Sequence, residues 1–199
     1  MRRFTIGRNR WRAVAAAVGV VVAGASAAAQ APSVQSPAAA TAAAVPAARP
    51  ADVASIDAIV ASVYDVISGP AGAPRDWNRF RSLFVAGARL IPTGRTAEGV
   101  ARIRVGDVEA YITSSGPSLE KNGFFEREIG RRVERFGNIA HVFSAYDSRR
   151  TASDEKPFAR GINSIQLYFD GTRWWVVTIF WDSERADNPI PAEYLTPRG

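Results

Sequence analysis

An alternation of apolar and polar residues with a period of two runs through the second half of the chain and predicts a sheet. In the first strand the apolar positions that alternate with charged residues are Phe125, Ile129 and Val133. Gly130 is a candidate bulge within this strand. Gly137-Asn138 and Asp170-Gly171 are residue pairs typical of tight hairpin turns. Further strands are predicted at residues 139–148, 159–169 and 172–182.

The first half of the folded region has the apolar spacing of helices instead. One continuous stripe predicts a helix over residues 53–68 and consists of Ile56, Ile59, Val60, Val63, Tyr64 and Ile67. A second helix is predicted from an N-cap at Asp76 to Ala86, and a third at residues 107–113, ended by Gly116-Pro117. A short strand between these helices, at residues 88–91, is predicted to end at Pro92. Helices followed by a run of strands predict an α+β domain, with a curved antiparallel sheet packed on N-terminal helices.

The N-terminal segment has a different composition from the rest of the chain. Arginines without any acid occupy residues 1–12, an apolar run follows at 13–23, and Ala27-Ala28-Ala29 resembles a peptidase site. This order predicts a cleavable signal peptide over residues 1–29 and a periplasmic or secreted protein; the alternative, a membrane anchor, needs a longer apolar run. Residues 30–50 consist mainly of Ala and Pro and are predicted to be a disordered linker, followed by one domain over 51–199.

Charge and composition exclude several classes of function. The chain has 25 basic and 19 acidic side chains, and loss of the arginine-rich leader leaves a nearly neutral domain. We therefore expect no nucleic-acid partner, and no membrane span once the leader is removed. With no cysteine and one histidine, the chain offers neither a disulfide framework nor the usual zinc ligands. We expect no metal and no cofactor, since phosphate-binding glycine loops are also absent.

The order helix–helix–strand–helix–four strands resembles the NTF2-like superfamily. The segment GINSIQL at residues 161–167, followed by DGTRWWVV at 170–177, is similar to the last hairpin of its SnoaL-like and DUF4440-like branches. The resemblance covers about residues 52–185 and implies a cone-shaped fold with a ligand site at the mouth of the cone. Since this superfamily includes isomerases, dehydratases, cyclases and transport adaptors, the resemblance indicates fold more sharply than activity.

Polar residues among apolar neighbours on the predicted elements are candidate site residues. We expect the pocket to be lined by Tyr64, Tyr111, Asn163 and Trp181. Ser144, Tyr146 and Gln166 are further polar positions on the strands, but alternation does not tell which sheet face points inward. His141 is the candidate general acid or base; the alternative is a half-buried imidazole bonded to backbone or carboxylate.

Two kinds of catalysis within the superfamily are disfavoured by missing residues. Isomerases of the steroid type carry an aspartate just after the second helix, whereas residues 84–105 contain only one acid, Glu98. Dehydratases with two histidines are disfavoured because the chain has one. Glu126 and Glu128 share a strand face among arginines, and we interpret them as a solvated, ion-paired surface.

The last strand is apolar on both faces, which an antiparallel sheet with one wet face does not need. Proteins that this chain resembles often form dimers through the outer surface of the sheet, so a homodimer is expected; the alternative is that the tail, residues 188–195, folds across that surface. The tryptophans of this strand could stack a flat ligand or fill the core. The sequence thus leaves three functions open: binding of a small apolar or aromatic ligand, a SnoaL-like isomerase, cyclase or dehydratase using His141, and an interaction platform.

Overall fold

The computed structural model describes residues 45–195, and these form one α+β unit. The predicted leader and most of the predicted linker lie outside the described residues. None of the helices in the described part is long and apolar enough to cross a membrane. The helices are α1 (Pro50–Val53), α2 (Ile56–Ile67), α3 (Trp77–Ser82) and α4 (Val108–Asn122), with a 3-10 turn at Ala192–Tyr194. The strands are β1 (Phe84–Arg95), β2 (Ala101–Ile103), β3 (Phe125–Phe136), β4 (Ile139–Arg149), β5 (Ala159–Phe169) and β6 (Trp174–Ser183).

The predicted helix starts and ends hold only in part. The first predicted helix is interrupted at Ser55, whose hydroxyl caps α2 by accepting from the amide of Ala58 at 3.0 Å. Asp76 caps α3, as predicted, by accepting from the amide of Arg79. The prediction that α4 ends at Gly116-Pro117 is wrong, because the helix continues to Asn122. Gly116 packs so closely on Trp77 that an added Cβ would lie 3.0 Å from its ring, and this tertiary contact outweighs the local preference against helix.

The sheet has six strands in the order β2-β1-β6-β5-β4-β3. The four C-terminal strands β3 to β6 pair antiparallel with one another in chain order, as predicted, and the register of β3 shifts between Glu128 and Gly130, which confirms the predicted bulge. One pair departs from the predicted antiparallel arrangement, because β1 pairs with β6 in parallel. β1 also runs through Pro92, whose carbonyl accepts from the amide of Arg104.

The helices cover one face of the sheet, which we call the inner face. Cross-strand partners lie on the same face, so the register assigns Val142, Ser144 and Tyr146 of β4 and Ile165 of β5 to the inner face. The fully buried core lies between this face and the helices and includes Ile59, Val60, Phe80, Leu83, Phe84, Val142, Ile165 and Val176. Burial of such side chains contributes about 1.5–3 kcal/mol each.

The opposite, outer face of the sheet is crossed by the C-terminal segment. Tyr194 packs its ring edge-on against Phe143 at 4.9 Å, and Ile190 is buried. The outer face still exposes large apolar side chains beside this segment, among them Phe136 (83% exposed) and Ile139 (61%). The tail therefore covers part of the outer face, as one of the two alternatives held, and the homodimer stays a prediction.

Candidate functional site

A cavity of about 220 Å³ lies between the inner face of the sheet and the helices, and we call it the cone cavity. Residues from α2, α3, α4 and all the long strands contribute to its wall. Its apolar lining consists of Val63, Ile67, Phe80, Leu90, Leu119, Phe124, Ile179 and Trp181. Its polar lining consists of Tyr111, Ser115, Glu126, Tyr146 and Asn163. Largely apolar walls with a few placed polar groups are typical of small-molecule sites.

The structure brings three of the four predicted pocket residues together in this wall. Tyr111 on α4 stacks on Phe80 at 5.4 Å between ring centroids and meets Trp181 edge-on at 6.3 Å. Asn163 projects from the inner face of β5, opposite Trp181 on β6. Tyr64 does not line the cavity; its hydroxyl instead accepts a hydrogen bond from the Asn163 amide at 3.1 Å. Contacts between aromatic rings thus hold the cavity wall in place, and Tyr64 contributes by its hydrogen bond with Asn163.

Glu126 is the residue that sequence reasoning missed. It is half-buried on the inner side of β3, where it lines both the cone cavity and a groove at the protein surface between α2 and β3. Its carboxylate accepts from the Ser148 hydroxyl at 2.8 Å and from the side chain of Asn163. The interpretation of Glu126 and Glu128 as a solvated surface is wrong, because Glu128 too is buried, with 6% of its side chain exposed.

Burial by the surrounding protein makes the Glu126 carboxyl group a weaker acid than an exposed glutamate. Desolvation raises its pKa from an ordinary 4.5 to about 7, and the charge of Asp147 acts in the same direction. The hydrogen bonds from Ser148 and Asn163 oppose the rise but do not cancel it. A carboxyl group with a pKa near neutrality exchanges its proton within the physiological range, which is the property required of a general acid or base.

The two tyrosines that line the cavity, Tyr111 and Tyr146, keep their hydroxyl protons at neutral pH. Desolvation raises the pKa of Tyr146 to about 12, and desolvation together with the charge of Glu126 raises that of Tyr111 further. A neutral phenol keeps its O–H, so both side chains can donate to an oxygen or nitrogen atom of a bound molecule.

A chain of buried hydrogen bonds leads from the cavity to a charged pair on β3. Glu128 can only accept, so the Ser144 hydroxyl donates to it at 2.6 Å. The Ser144 oxygen is therefore free to accept from Tyr64, 2.7 Å away, and the Tyr64 oxygen accepts from Asn163. Arg131 neutralises Glu128 at 3.7 Å and also contacts Asp57. This directional chain turns the amide nitrogen of Asn163 toward Tyr64 and Glu126, and so defines one wall of the site.

His141 is not part of the cone cavity. The register of β4 assigns its side chain to the outer face, where Nε2 lies 2.9 Å from the Ser164 hydroxyl and the ring meets Phe143 edge-on. His141 was predicted to act as a general acid or base in the cavity. This placement corrects the prediction, because the sheet itself lies between the imidazole and the cavity. The half-buried, hydrogen-bonded alternative describes it, with a hydroxyl as its partner. Within residues 45–195, no cluster of three or more metal-binding side chains occurs.

The helices, the curved six-stranded sheet and the cavity between them resemble the cone-shaped NTF2-like fold that the sequence resemblance implies. No protein-family model and no curated protein matches the chain.

Several solved structures are similar to this chain. An NTF2-like protein of unknown function from Silicibacter pomeroyi DSS-3 is 15% identical, with a TM-score of 0.46, covering 66% of this chain and 94% of that protein. Another from Shewanella baltica OS155 is 14% identical, with a TM-score of 0.42, covering 64% and 90%. A protein from Kribbella flavida, described as a candidate ketosteroid isomerase, is 17% identical, with a TM-score of 0.39, covering 75% and 93%.

Proposed function

We propose that this protein binds one small, mostly apolar molecule in the cone cavity. The observation that carries the proposal is the cavity itself, because its volume of about 220 Å³ is walled by aromatic rings and by a few polar groups that converge on it. An apolar cavity of about 150 Å³ is enough to bind benzene, so the cone cavity has room for one ring with a short substituent. Ligands with three or more fused rings exceed this space.

Blocking the cavity tests the proposal. Ser115 lines the cavity from α4, and Ser118 is exposed on the same helix, so Ser115→Phe and Ser118→Phe form a matched pair. Indole serves as the probe, titrated into the wild-type protein and followed by amide chemical shifts. We expect saturable shifts around Tyr111 and Trp181 in the wild type and in Ser118→Phe, and none in Ser115→Phe. Equal binding by both variants would place the probe elsewhere and remove the proposal's basis.

A second candidate function, proton-transfer catalysis, is favoured by one observation. Glu126, with a pKa of about 7, shares the cavity with the neutral hydroxyls of Tyr111 and Tyr146. A base beside hydrogen-bond donors suits abstraction of a proton next to a carbonyl group, a role for which residues 84–105 offer no aspartate. With a small β,γ-unsaturated ketone as substrate, kcat/KM should rise with pH through about 7, and Glu126→Gln should lower it roughly 100- to 10,000-fold. If Glu126→Gln leaves kcat/KM unchanged, Glu126 is not the base.

We further infer that the protein is exported and that it pairs with a second copy through the outer face. Residues 1–29, with their arginines and apolar run, support export, and N-terminal sequencing of the envelope protein should begin near Gln30. The exposure of Phe136, Ile139 and Tyr168 on the outer face supports pairing. Sedimentation at micromolar concentration should give a dimer, and a compact monomer would refute this part.

A further inference from the structure

Glu126 differs from the other enclosed carboxylates of the described region in having no cation beside it. Glu128 is paired with Arg131, and Asp147 with Arg127 and Arg149. Within residues 45–195, no arginine or lysine lies within ion-pair distance, 4 Å, of the Glu126 carboxylate; its partners are the neutral donors Ser148 and Asn163. A desolvated carboxylate without a counter-ion is costly, which makes a cation the ligand group that it would stabilise most.

The walls of the cone cavity favour the same kind of ligand. Phe80, Tyr111, Phe124 and Trp181 present aromatic rings to the cavity, and the faces of such rings attract cations. None of the described residues that line the cavity is basic, so an anionic ligand would meet the carboxylate without compensation. Carboxylate and rings together match an ammonium group attached to a small apolar body.

We propose that the ligand of the cone cavity is a small arylalkyl amine, bound as its ammonium with the nitrogen against Glu126 and the ring among the aromatic side chains. This inference rests on the proposed binding function and names its ligand class. A carboxylate has room for about four hydrogen bonds, and Ser148 and Asn163 account for two of them. The ammonium supplies the remaining donors and the missing positive charge.

The charge states of the two partners set the pH range of binding. The pKa of Glu126, raised to about 7 by desolvation, makes the carboxylate increasingly ionised from pH 6 to 8. Alkylammonium groups stay charged well above that range, as lysine does with its pKa of about 10.4. The affinity for an amine should therefore increase as the pH rises through 7, whereas the affinity for a neutral ligand of the same shape should not.

Three probes of matched shape test the inference by calorimetry on the full domain: benzylamine, benzyl alcohol and benzoate. At pH 8.5 we expect benzylamine to bind at least tenfold more tightly than benzyl alcohol, and benzoate to bind most weakly. Between pH 5.5 and 8.5 the benzylamine affinity should rise about tenfold while that of benzyl alcohol stays constant. Glu126→Gln should make the amine and the alcohol equal, whereas Glu134→Gln, exposed on the same strand, should leave the preference unchanged.

The outcomes separate the ligand class from the binding function. Equal affinities of the wild type for benzylamine and benzyl alcohol at pH 8.5 overturn the amine inference and leave the binding function standing. If indole, benzylamine, benzyl alcohol and benzoate all fail to bind, both the amine inference and the proposed binding function are overturned. If Glu126→Gln does not fold, the pH dependence of the wild type decides, since a flat profile for benzylamine refutes the inference by itself.

Discussion

Replacement of Glu126 by glutamine should make the protein more stable at alkaline pH. Desolvation raises the pKa of this carboxyl group from 4.5 to about 7, so between these pH values the folded protein holds a proton that the unfolded chain has released. Stability falls as pH rises wherever the folded state binds more protons. Ionisation of Glu126 thus lowers the free energy of unfolding as the pH rises from about 4.5 to 7, and glutamine, which does not titrate, removes this loss.

The size of the effect follows from the pKa rise and from the exposure of the side chain. A rise from 4.5 to about 7 corresponds to about 3 kcal/mol if the group is fully shielded. Glu126 is half-buried and borders the surface groove between α2 and β3, so solvent screening reduces this free-energy difference. We therefore expect an effect of about 1–3 kcal/mol. Glutamine retains an oxygen that can accept from Ser148, so the hydrogen bond survives the substitution.

Urea unfolding at pH 5 and pH 8 measures this effect in the wild type, Glu126→Gln and the exposed control Glu134→Gln. We expect Glu126→Gln to match the wild type within about 0.5 kcal/mol at pH 5 and to exceed it by about 1–3 kcal/mol at pH 8. The comparison between variants cancels every other titrating group. If the stability difference between Glu126→Gln and the wild type is the same at both pH values, the carboxyl group is not desolvated, and the reasoning on the cavity's acid–base property fails.

Two further predictions concern residues that hold the fold around the cavity. Arg75 is buried and donates to five backbone carbonyls, those of Ile67, Gly69, Pro70, Ala73 and Leu119, so Arg75→Met should cost at least about 3 kcal/mol in urea unfolding, while the exposed Arg132→Met should cost little. A Cβ at Gly130 would collide with the carbonyl oxygen of Tyr194, so Gly130→Ala should detach the C-terminal segment and speed its cleavage in limited proteolysis, whereas Gly94→Ala, with open space around it, should not. Unchanged cleavage of Gly130→Ala would show that the segment does not depend on this contact.

Local patterns predicted most of the sheet because turns and alternation act over a few residues. The predicted strand at residues 159–169 is the observed β5, Ala159–Phe169, and the Gly137-Asn138 turn joins β3 to β4 as expected. Elements whose limits depend on distant contacts were predicted less well. α4 continues past Pro117 because Gly116 and Leu119 pack into the core. β1 includes Pro92 because it pairs up to that residue with β6, far away in sequence, and its last residues pair with β2.

The candidate site divides in the same way. Tyr111, Asn163 and Trp181 could be singled out as polar or aromatic residues on apolar elements, and the structure gathers them in one wall. His141 was singled out on the same grounds, but alternation gives the period of a strand and not the direction of its faces, and the register of β4 directs His141 outward.

Glu126 was hidden by the bulge in β3. Strict alternation from Val133 back to Phe125 would direct Phe125 and Val133 to one face and Glu126 and Glu128 to the other. The extra residue at the bulge reverses this phase, so that Glu126 pairs with Ser148 and Val133 with Val142, all on the inner face. Val133, a valine on that face, is 43% exposed, while a glutamate of the same strand lines the cavity. Because of the one extra residue at the bulge, Glu126 and not Phe125 lies on the inner face of β3. The acid–base property of the cone cavity depends on this change of face.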